Sequence, residues 1–139
     1  MGRRAALVVW AAMLVTPLAF MAVAATQRWG LDTRDVAGLL FWLAVGASAF
    51  NIALSRFLPP RLGPFRAGRE ATAFTRLLVG WALCEAAALF PLVVWIVSGD
   101  PRLLGVCLVN LIALLTLYPS DARWEDLTPP ETTGARSLR

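Results

Sequence analysis

Four runs of apolar residues follow one another along the chain, separated by short polar segments that contain its arginines. A helix needs about 20 apolar residues to cross the hydrocarbon core of a bilayer, and three of the runs approach or reach that length. The fourth run holds about 16 residues, which is short for a span. The pattern predicts an all-α membrane protein whose four transmembrane helices form two antiparallel hairpins. The predicted spans cover about residues 5–26, 36–54, 77–97 and 103–118.

The arginine pattern predicts how these spans are oriented. Residues 55–76 hold five arginines and one acid, Glu70, among prolines and glycines, which predicts a basic loop. Short arginine-rich segments stay in the cytoplasm, and Arg3 and Arg4 lie two crossings before this loop, so both chain ends are expected in the cytoplasm. The first run is longer than the apolar core of a signal peptide, about 7–15 residues, so we expect it to remain as a span.

The segment after the fourth run, residues 119–139, is predicted to be a cytoplasmic tail. Ser120 is a favourable helix N-cap, and Trp124 gives the segment after Ser120 an apolar side. A short interfacial helix is therefore predicted over residues 120–127. The four spans with their connections, residues 1–118, are expected to form a single transmembrane domain.

Composition agrees with a membrane protein. The 139 residues are 58% hydrophobic, whereas soluble domains are typically about 45–50% apolar, and the mean hydropathy is +0.65. The 13 basic residues are all arginines and outnumber the nine acids, which gives a net charge of +4. Because the arginines lie between apolar runs rather than on one continuous face, we interpret them as topology signals and expect no nucleic-acid partner.

Several kinds of chemistry lack the residues that they need. The chain has no His, which removes the usual general base and the commonest metal ligand. Cys84 and Cys107 each stand alone inside an apolar run, where a thiol behaves as a small hydrophobic group. We therefore expect no catalytic residue, no metal and no cofactor, and a protein that is not an enzyme.

Glu85 is the strongest functional candidate, because it is the one acid or base inside the predicted spans. A charged side chain at the bilayer centre costs about 2.5 kcal/mol or more on insertion scales. Thr16, Ser48 and Asn110 fall within about one helical turn of the same depth. We expect Asn110 to hydrogen-bond the Glu85 carboxyl, with Ser48 or Thr16 completing the shell. This polar layer is either a contact that joins helices or a proton- or ion-binding site.

The basic loop also supports two interpretations. Arginines near a membrane surface attract anionic lipid head groups by about 1 kcal/mol each, but they also fix the orientation of the spans without binding anything. We favour the second interpretation. The arginines that could contact lipid head groups are Arg56, Arg61, Arg66, Arg69 and Arg76.

The segment around Glu85 resembles a known ion-carrying helix. Residues 82–94 read Ala-Leu-Cys-Glu-Ala-Ala-Ala-Leu-Phe-Pro-Leu-Val-Val. This is similar to the c subunit (proteolipid) of rotary ATP synthases, in which a carboxylate is followed by an Ala-x-Ala-Leu-(Phe/Tyr)-x-Leu-Val run. The resemblance implies that Glu85 picks up and releases a proton or a sodium ion. The chain as a whole resembles small four-helix membrane proteins of bacteria, which implies a multi-pass protein of the inner membrane.

Two functions follow from these observations. The first is a non-enzymatic subunit or scaffold, which needs only packed helices, the lipid bilayer and a partner, either a second copy or another membrane protein. The alternative is a proteolipid-like protein that handles protons or cations through Glu85. Replacing Glu85 with Gln separates the two, because only the alternative requires a loss of proton flux.

Overall fold

The computed structural model of the protein describes residues 2–26, 36–63 and 68–129. Within these ranges the chain forms five helices and no strand, which confirms the predicted all-α class. The helices are α1 (Arg3–Thr26), α2 (Ala37–Arg61), α3 (Arg69–Ser98), α4 (Arg102–Leu115) and α5 (Asp121–Leu127).

Three of these helices, α1, α2 and α3, are long and apolar enough to cross a membrane. α4 is apolar but has only 14 residues, which is about 21 Å of helix against a hydrocarbon core of about 30 Å. Its C-terminal end tightens, because the backbone amides of Leu117 and Tyr118 each donate to a carbonyl three residues earlier at 3.1 Å. The fourth apolar run is therefore a helix followed by a turn.

α3 is the centre of the bundle and contacts each of the other four helices. In its most apolar stretch 50% of the residues are buried, compared with 11% in α1 and in α2. Trp81 is fully buried, and its indole N–H donates to the Leu117 carbonyl oxygen at 2.9 Å. Cys84 and Cys107 are both buried in this core and are not bridged.

α1 and α2 both pack on α3 but share hardly any contacts with each other. Trp10 on α1 packs beside Trp81 in the same apolar cluster, and its indole N–H donates to the Leu114 carbonyl oxygen of α4 at 3.1 Å. α2 packs on α3 through buried small residues, of which Ala44 and Ser48 lie in its middle.

The segment 55–76, predicted as a loop, is helical over most of its length. α2 continues to Arg61, and α3 already begins at Arg69. Ser55 and Pro59 are both buried, so this part of α2 has an inward face that a solvated loop would lack. The described arginines of the segment, Arg56, Arg61, Arg69 and Arg76, therefore lie on the end of α2 and the beginning of α3.

Gly80 marks a close approach of α2 and α3. A Cβ atom at Gly80 would lie 3.3 Å from the Ser55 carbonyl oxygen and 3.5 Å from the Pro59 ring. The glycines inside α2, Gly38 and Gly46, would place a Cβ in open space, with nothing within 4 Å. The tight contact between these helices thus depends on a glycine of α3.

A tight turn joins α3 to α4 and makes them an antiparallel hairpin. Gly99 ends α3 in the left-handed region at φ 68°, and its N–H donates to the Trp95 carbonyl oxygen at 2.7 Å. The Asp100 carboxylate accepts the backbone N–H of Arg102 at 3.0 Å and pairs with the guanidinium of the same residue. That guanidinium also lies 4.5 Å above the ring of Phe41 on α2.

The opposite end of the bundle, which we call the basic end, is closed by contacts among arginines and the C-terminal segment. Arg3 donates to the Pro119 carbonyl oxygen at 3.1 Å and forms an ion pair with Asp121. The predicted Ser120 cap is present, since its hydroxyl accepts the Arg123 backbone N–H at 3.3 Å. The start of α1, the end of α4 and α5 thus lie at the same end.

Candidate functional site

Glu85 lies near the middle of α3, about 24 Å from its start and about 20 Å from its end at 1.5 Å per residue. Helical spacing places it on the same side of α3 as Leu78, Trp81 and Leu89, which belong to the apolar clusters that include residues of α1. The Glu85 side chain is only partly buried. Among the residues that the structure describes, its carboxyl has no hydrogen bond and no ion pair.

A chain of hydrogen bonds joins α4, α2 and α3 at another side of the core. The Asn110 side-chain amide donates to the Ser48 hydroxyl oxygen at 2.9 Å, and that hydroxyl donates to the Ala87 carbonyl oxygen at 3.5 Å. Pro91 has no backbone N–H, so the carbonyl of Ala87, four residues earlier, lacks its partner within the helix. The Ser48 hydroxyl replaces that partner, as neighbouring hydroxyls do at prolines in membrane helices.

The predicted hydrogen bond between Asn110 and Glu85 is not formed. The second donor bond of Asn110 goes to the Val106 carbonyl oxygen at 2.8 Å, and its buried Oδ1 atom has no partner in the described part of the chain. Thr16 is exposed and donates to the Ala12 carbonyl oxygen in its own helix at 3.0 Å. The structure therefore joins Ser48 to Asn110 but assembles no shell around the carboxyl, because helix rotation turns it to a different side of α3.

One face of α3 beside Glu85 is left open, although α3 is the most buried helix. Ala82 and Ala86 are exposed there, and farther along the helix Phe90 and Val93 are 41% and 48% exposed. The unpaired carboxyl thus lies at the edge of an apolar strip that no described part of the chain covers. We refer to these four residues as the open face of α3.

A cavity of about 260 Å³ lies at the basic end, between the ends of α2 and α4, the first half of α3, and α5. Its walls combine apolar side chains with three arginines and one acid. The lining residues are Ser55, Arg56, Pro59, Pro60, Arg76, Leu77, Gly80, Trp81, Leu117, Arg123, Asp126 and Leu127.

The three arginines of this cavity have different surroundings. Arg76 is committed to structure, since it donates to the Leu62 carbonyl oxygen at 2.6 and 3.1 Å and to the Leu127 carbonyl oxygen at 2.8 Å. Arg56 donates to the Thr116 hydroxyl. Partial burial lowers the pKa of Arg123, and the positive charge of Arg56 lowers it further. Within the described residues no acceptor meets the Arg123 guanidinium.

The arginines expected to contact lipid head groups are thus divided by the structure. Arg56 and Arg76 line the cavity, whereas Arg61 lies over the ring of Phe57 and donates to that residue's carbonyl oxygen at 2.8 Å. Arg69 donates to the Pro129 carbonyl oxygen at 2.8 Å. Arg66 lies outside the described residues.

The sequence did not single out Arg123, although it is the arginine of the cavity that has no acceptor among the described residues. In the sequence Arg123 lies among the acids of the C-terminal segment, a pattern that predicts a surface cluster of ion pairs. Only the return of α5 across the ends of α2 and α3 brings it near Arg56. The available signal was the Ser120 cap, which fixes where α5 begins.

No protein-family model, curated protein or solved structure matches the chain. Two features of the described chain bear on function: Glu85, which has no partner there, beside the open face of α3, and the cavity at the basic end.

Proposed function

We propose that the protein is a non-enzymatic subunit of a membrane complex, with four transmembrane helices and both ends in the cytoplasm. The start of α1 and α5 lie at one end of the bundle, which is what an even number of spans requires. The C-terminal part of α2 and the N-terminal part of α3 are rich in arginine and lie at this same end of the bundle, which agrees with a cytoplasmic location. α4, although short, is the second helix of a tight hairpin and brings the chain back to the end of the bundle where α3 begins.

The observation that carries the subunit proposal is the carboxyl of Glu85, which has no partner among the described residues. An acid in the middle of a membrane helix costs about 2.5 kcal/mol or more unless a polar group meets it. Ser48 and Asn110, the buried polar residues nearest in depth, hydrogen-bond to each other and to α3 and α4 instead. The missing partner group is therefore supplied by another chain.

The chemistry of that partner follows from the chain itself. The predicted spans contain no Arg, and the protein has no Lys, so a second copy would bring two carboxyls together without a cation. A helix of a different protein with an Arg or Lys in its span satisfies Glu85 and covers the apolar open face of α3. Truncating one member of a buried charge pair costs about 3–5 kcal/mol, which makes such a pair a strong determinant of assembly.

Cross-linking from the open face tests the proposal. A photoreactive residue at Ala82 should cross-link the full-length protein to one discrete membrane protein, and one at Leu108 on the exposed side of α4 should not. Glu85→Leu should abolish the Ala82 cross-link, while Glu125→Leu, at an exposed acid of α5, should leave it unchanged. An Ala82 cross-link that survives Glu85→Leu, or that joins two copies of this chain, would contradict the proposal.

The alternative is proton or cation handling through Glu85, and the observation that favours it is a partly exposed carboxyl that no described residue binds. Purified protein in liposomes separates the two functions. Proton flux that disappears in Glu85→Gln but persists in Glu125→Gln would establish the alternative. Equal flux in both variants, together with loss of the Ala82 cross-link in Glu85→Leu, supports the subunit function.

A further inference from the structure

The cavity at the basic end has an excess of positive charge that the described residues do not neutralise. Arg56, Arg76 and Arg123 face it with a single acid, Asp126. Arg56 and Arg123 come from different helices and repel each other, an arrangement that costs free energy unless an anion lies between them. The acid compensates only in part, because it is exposed and forms no ion pair with Arg123 among the described residues.

The hydrogen-bonding capacity of these arginines is also unequal. Arg76 donates three hydrogen bonds to carbonyl groups at the ends of α2 and α5. It therefore holds the cavity walls in place and adds positive charge to them. A guanidinium has five N–H donors in a planar fork that matches carboxylate and phosphate oxygens. The Arg123 fork has no acceptor within the described residues, and Arg56 uses only the bond to Thr116.

The rest of the lining is apolar. Trp81, Leu117 and Leu127 form part of the wall, and the prolines that end α2 form another part. A fully hydrated anion would leave these surfaces without a partner, whereas an amphiphile would cover them. The cavity also lies where the apolar helices end, at the level at which lipid head groups meet a membrane protein.

We infer that this cavity binds a phosphate-bearing anion, with the phosphate oxygens between Arg56 and Arg123 and the uncharged part of the ligand along the apolar wall. A phospholipid head group and a free phosphate share this chemistry, and the apolar wall favours the lipid. The site is independent of Glu85 and of the subunit function. The basic end therefore binds some lipid head groups more tightly than others.

Native mass spectrometry of the full-length protein in neutral detergent tests the site. Phosphatidylglycerol should bind with defined stoichiometry and more tightly than phosphatidylcholine, because the lining has an excess of positive charge. Arg123→Gln and Arg56→Gln should each weaken phosphatidylglycerol binding about tenfold or more, the effect of losing a charge-assisted hydrogen bond. Arg61→Gln is the matched control, since it removes the same charge from the same end outside the cavity, and it should change binding less than twofold.

Thermal unfolding gives a readout that a merely structural role for Arg123 would not produce. Without lipid, Arg123→Gln should unfold at the same temperature as the wild type or a higher one, because the substitution removes repulsion from Arg56. At the same concentration, added phosphatidylglycerol should raise the unfolding temperature of the wild type more than that of the variant, because the variant binds it more weakly. Inorganic phosphate at millimolar concentration that reproduces this stabilisation would identify a free phosphate as the ligand.

Two results would overturn the inference. One is equal weakening of phosphatidylglycerol binding by Arg61→Gln and Arg123→Gln, which would mean diffuse attraction to the basic end. The other is equal affinity of the wild type for phosphatidylglycerol and phosphatidylcholine. If Arg123→Gln fails to fold, Arg56→Gln on the other side of the cavity decides the question by the same measurements.

Discussion

The Ser48 hydroxyl on α2 lies 3.5 Å from the carbonyl oxygen of Ala87 on α3, the carbonyl that Pro91 leaves without a donor in its own helix. Asn110 on α4 donates in turn to the Ser48 hydroxyl oxygen at 2.9 Å. Three helices are therefore joined at the place where Pro91 leaves a carbonyl inside α3 without its donor. This relationship gives the buried Ser48 hydroxyl and the Asn110 side-chain N–H a structural role, whereas the buried Asn110 Oδ1 has no partner among the described residues.

We expect Ser48→Ala to destabilise the protein by about 1 kcal/mol, between the average of about 0.6 and the maximum of about 1.7 kcal/mol for polar contacts in membranes. The loss should be smaller in a Pro91→Ala background, because the new N–H at position 91 then bonds the Ala87 carbonyl. Unfolding in mixed micelles with increasing dodecyl sulfate measures both. Thr16→Val, which removes a hydroxyl bonded only to its own helix, should cost less than about 0.5 kcal/mol. Equal losses in the two backgrounds would refute the compensation.

Gly80→Ala should weaken the contact between α2 and α3. The added methyl group would lie 3.3 Å from the Ser55 carbonyl oxygen, and a helix backbone can yield only if the two helices separate. We expect a cost of about 1 kcal/mol or more in the same unfolding assay. Gly46→Ala has open space around its Cβ and should be neutral or stabilising by up to about 1 kcal/mol. The same response from both variants would show that the close approach is unimportant.

The helices could be predicted from the sequence because their apolar runs are long and their ends are chemically marked. Gly99, Asp100 and Pro101 stop one helix and start the next, and Ser120 begins α5 as expected. The extension of α2 to Arg61 was missed, because two prolines and a cluster of arginines resemble a loop. A proline near the C-terminal end of a helix removes the donor of only one carbonyl, four residues earlier. Pro59 is buried, which favours a helix over a solvated loop at this position.

Arg76→Gln should release α5 from the bundle. The guanidinium bonds carbonyl groups of Leu62 and Leu127, and charge-assisted hydrogen bonds contribute about 1.5–3 kcal/mol in such settings. Hydrogen exchange of the α5 amides should therefore accelerate at least about tenfold. Arg61→Gln removes a guanidinium whose one hydrogen bond among the described residues goes to the Phe57 carbonyl of its own helix, and it should leave α5 protected. Unchanged exchange in Arg76→Gln would mean that other contacts hold α5.

The turn between α3 and α4 should respond to acid. Hydrogen bonds from Arg102 hold the pKa of Asp100 below its usual value, so the stabilisation is complete above the unfolded pKa of about 3.9 and is lost as pH falls through the lower folded value. Asp100→Asn should lower stability at pH 7 by no more than about 1 kcal/mol, as for other exposed pairs. Thermal unfolding should show this difference shrinking below about pH 4. A constant difference between pH 7 and pH 3 would contradict the assignment.

The candidate sites were harder to predict than the helices. Depth along a helix can be counted from sequence, so Ser48, Glu85 and Asn110 were expected in one layer. Which side of each helix faces its neighbour depends on rotation, and at 100° per residue a small error turns a side chain to another partner. That is why Asn110 meets Ser48 instead of Glu85. The cavity at the basic end depends on a segment returning from the far end of the chain, which no local pattern reveals.

Since α1 and α2 pack on α3 but scarcely touch each other, the order of translation matters for assembly. In the membrane topology proposed above, the two helices synthesised first enter the bilayer before α3 exists, and they have hardly any contacts with each other until it arrives. Only the arrival of the third gives the nascent protein a tertiary core. A chain truncated before residue 69 would therefore hold two tethered helices with hardly any contact between them, exposed to membrane quality-control proteases, instead of half a folded bundle.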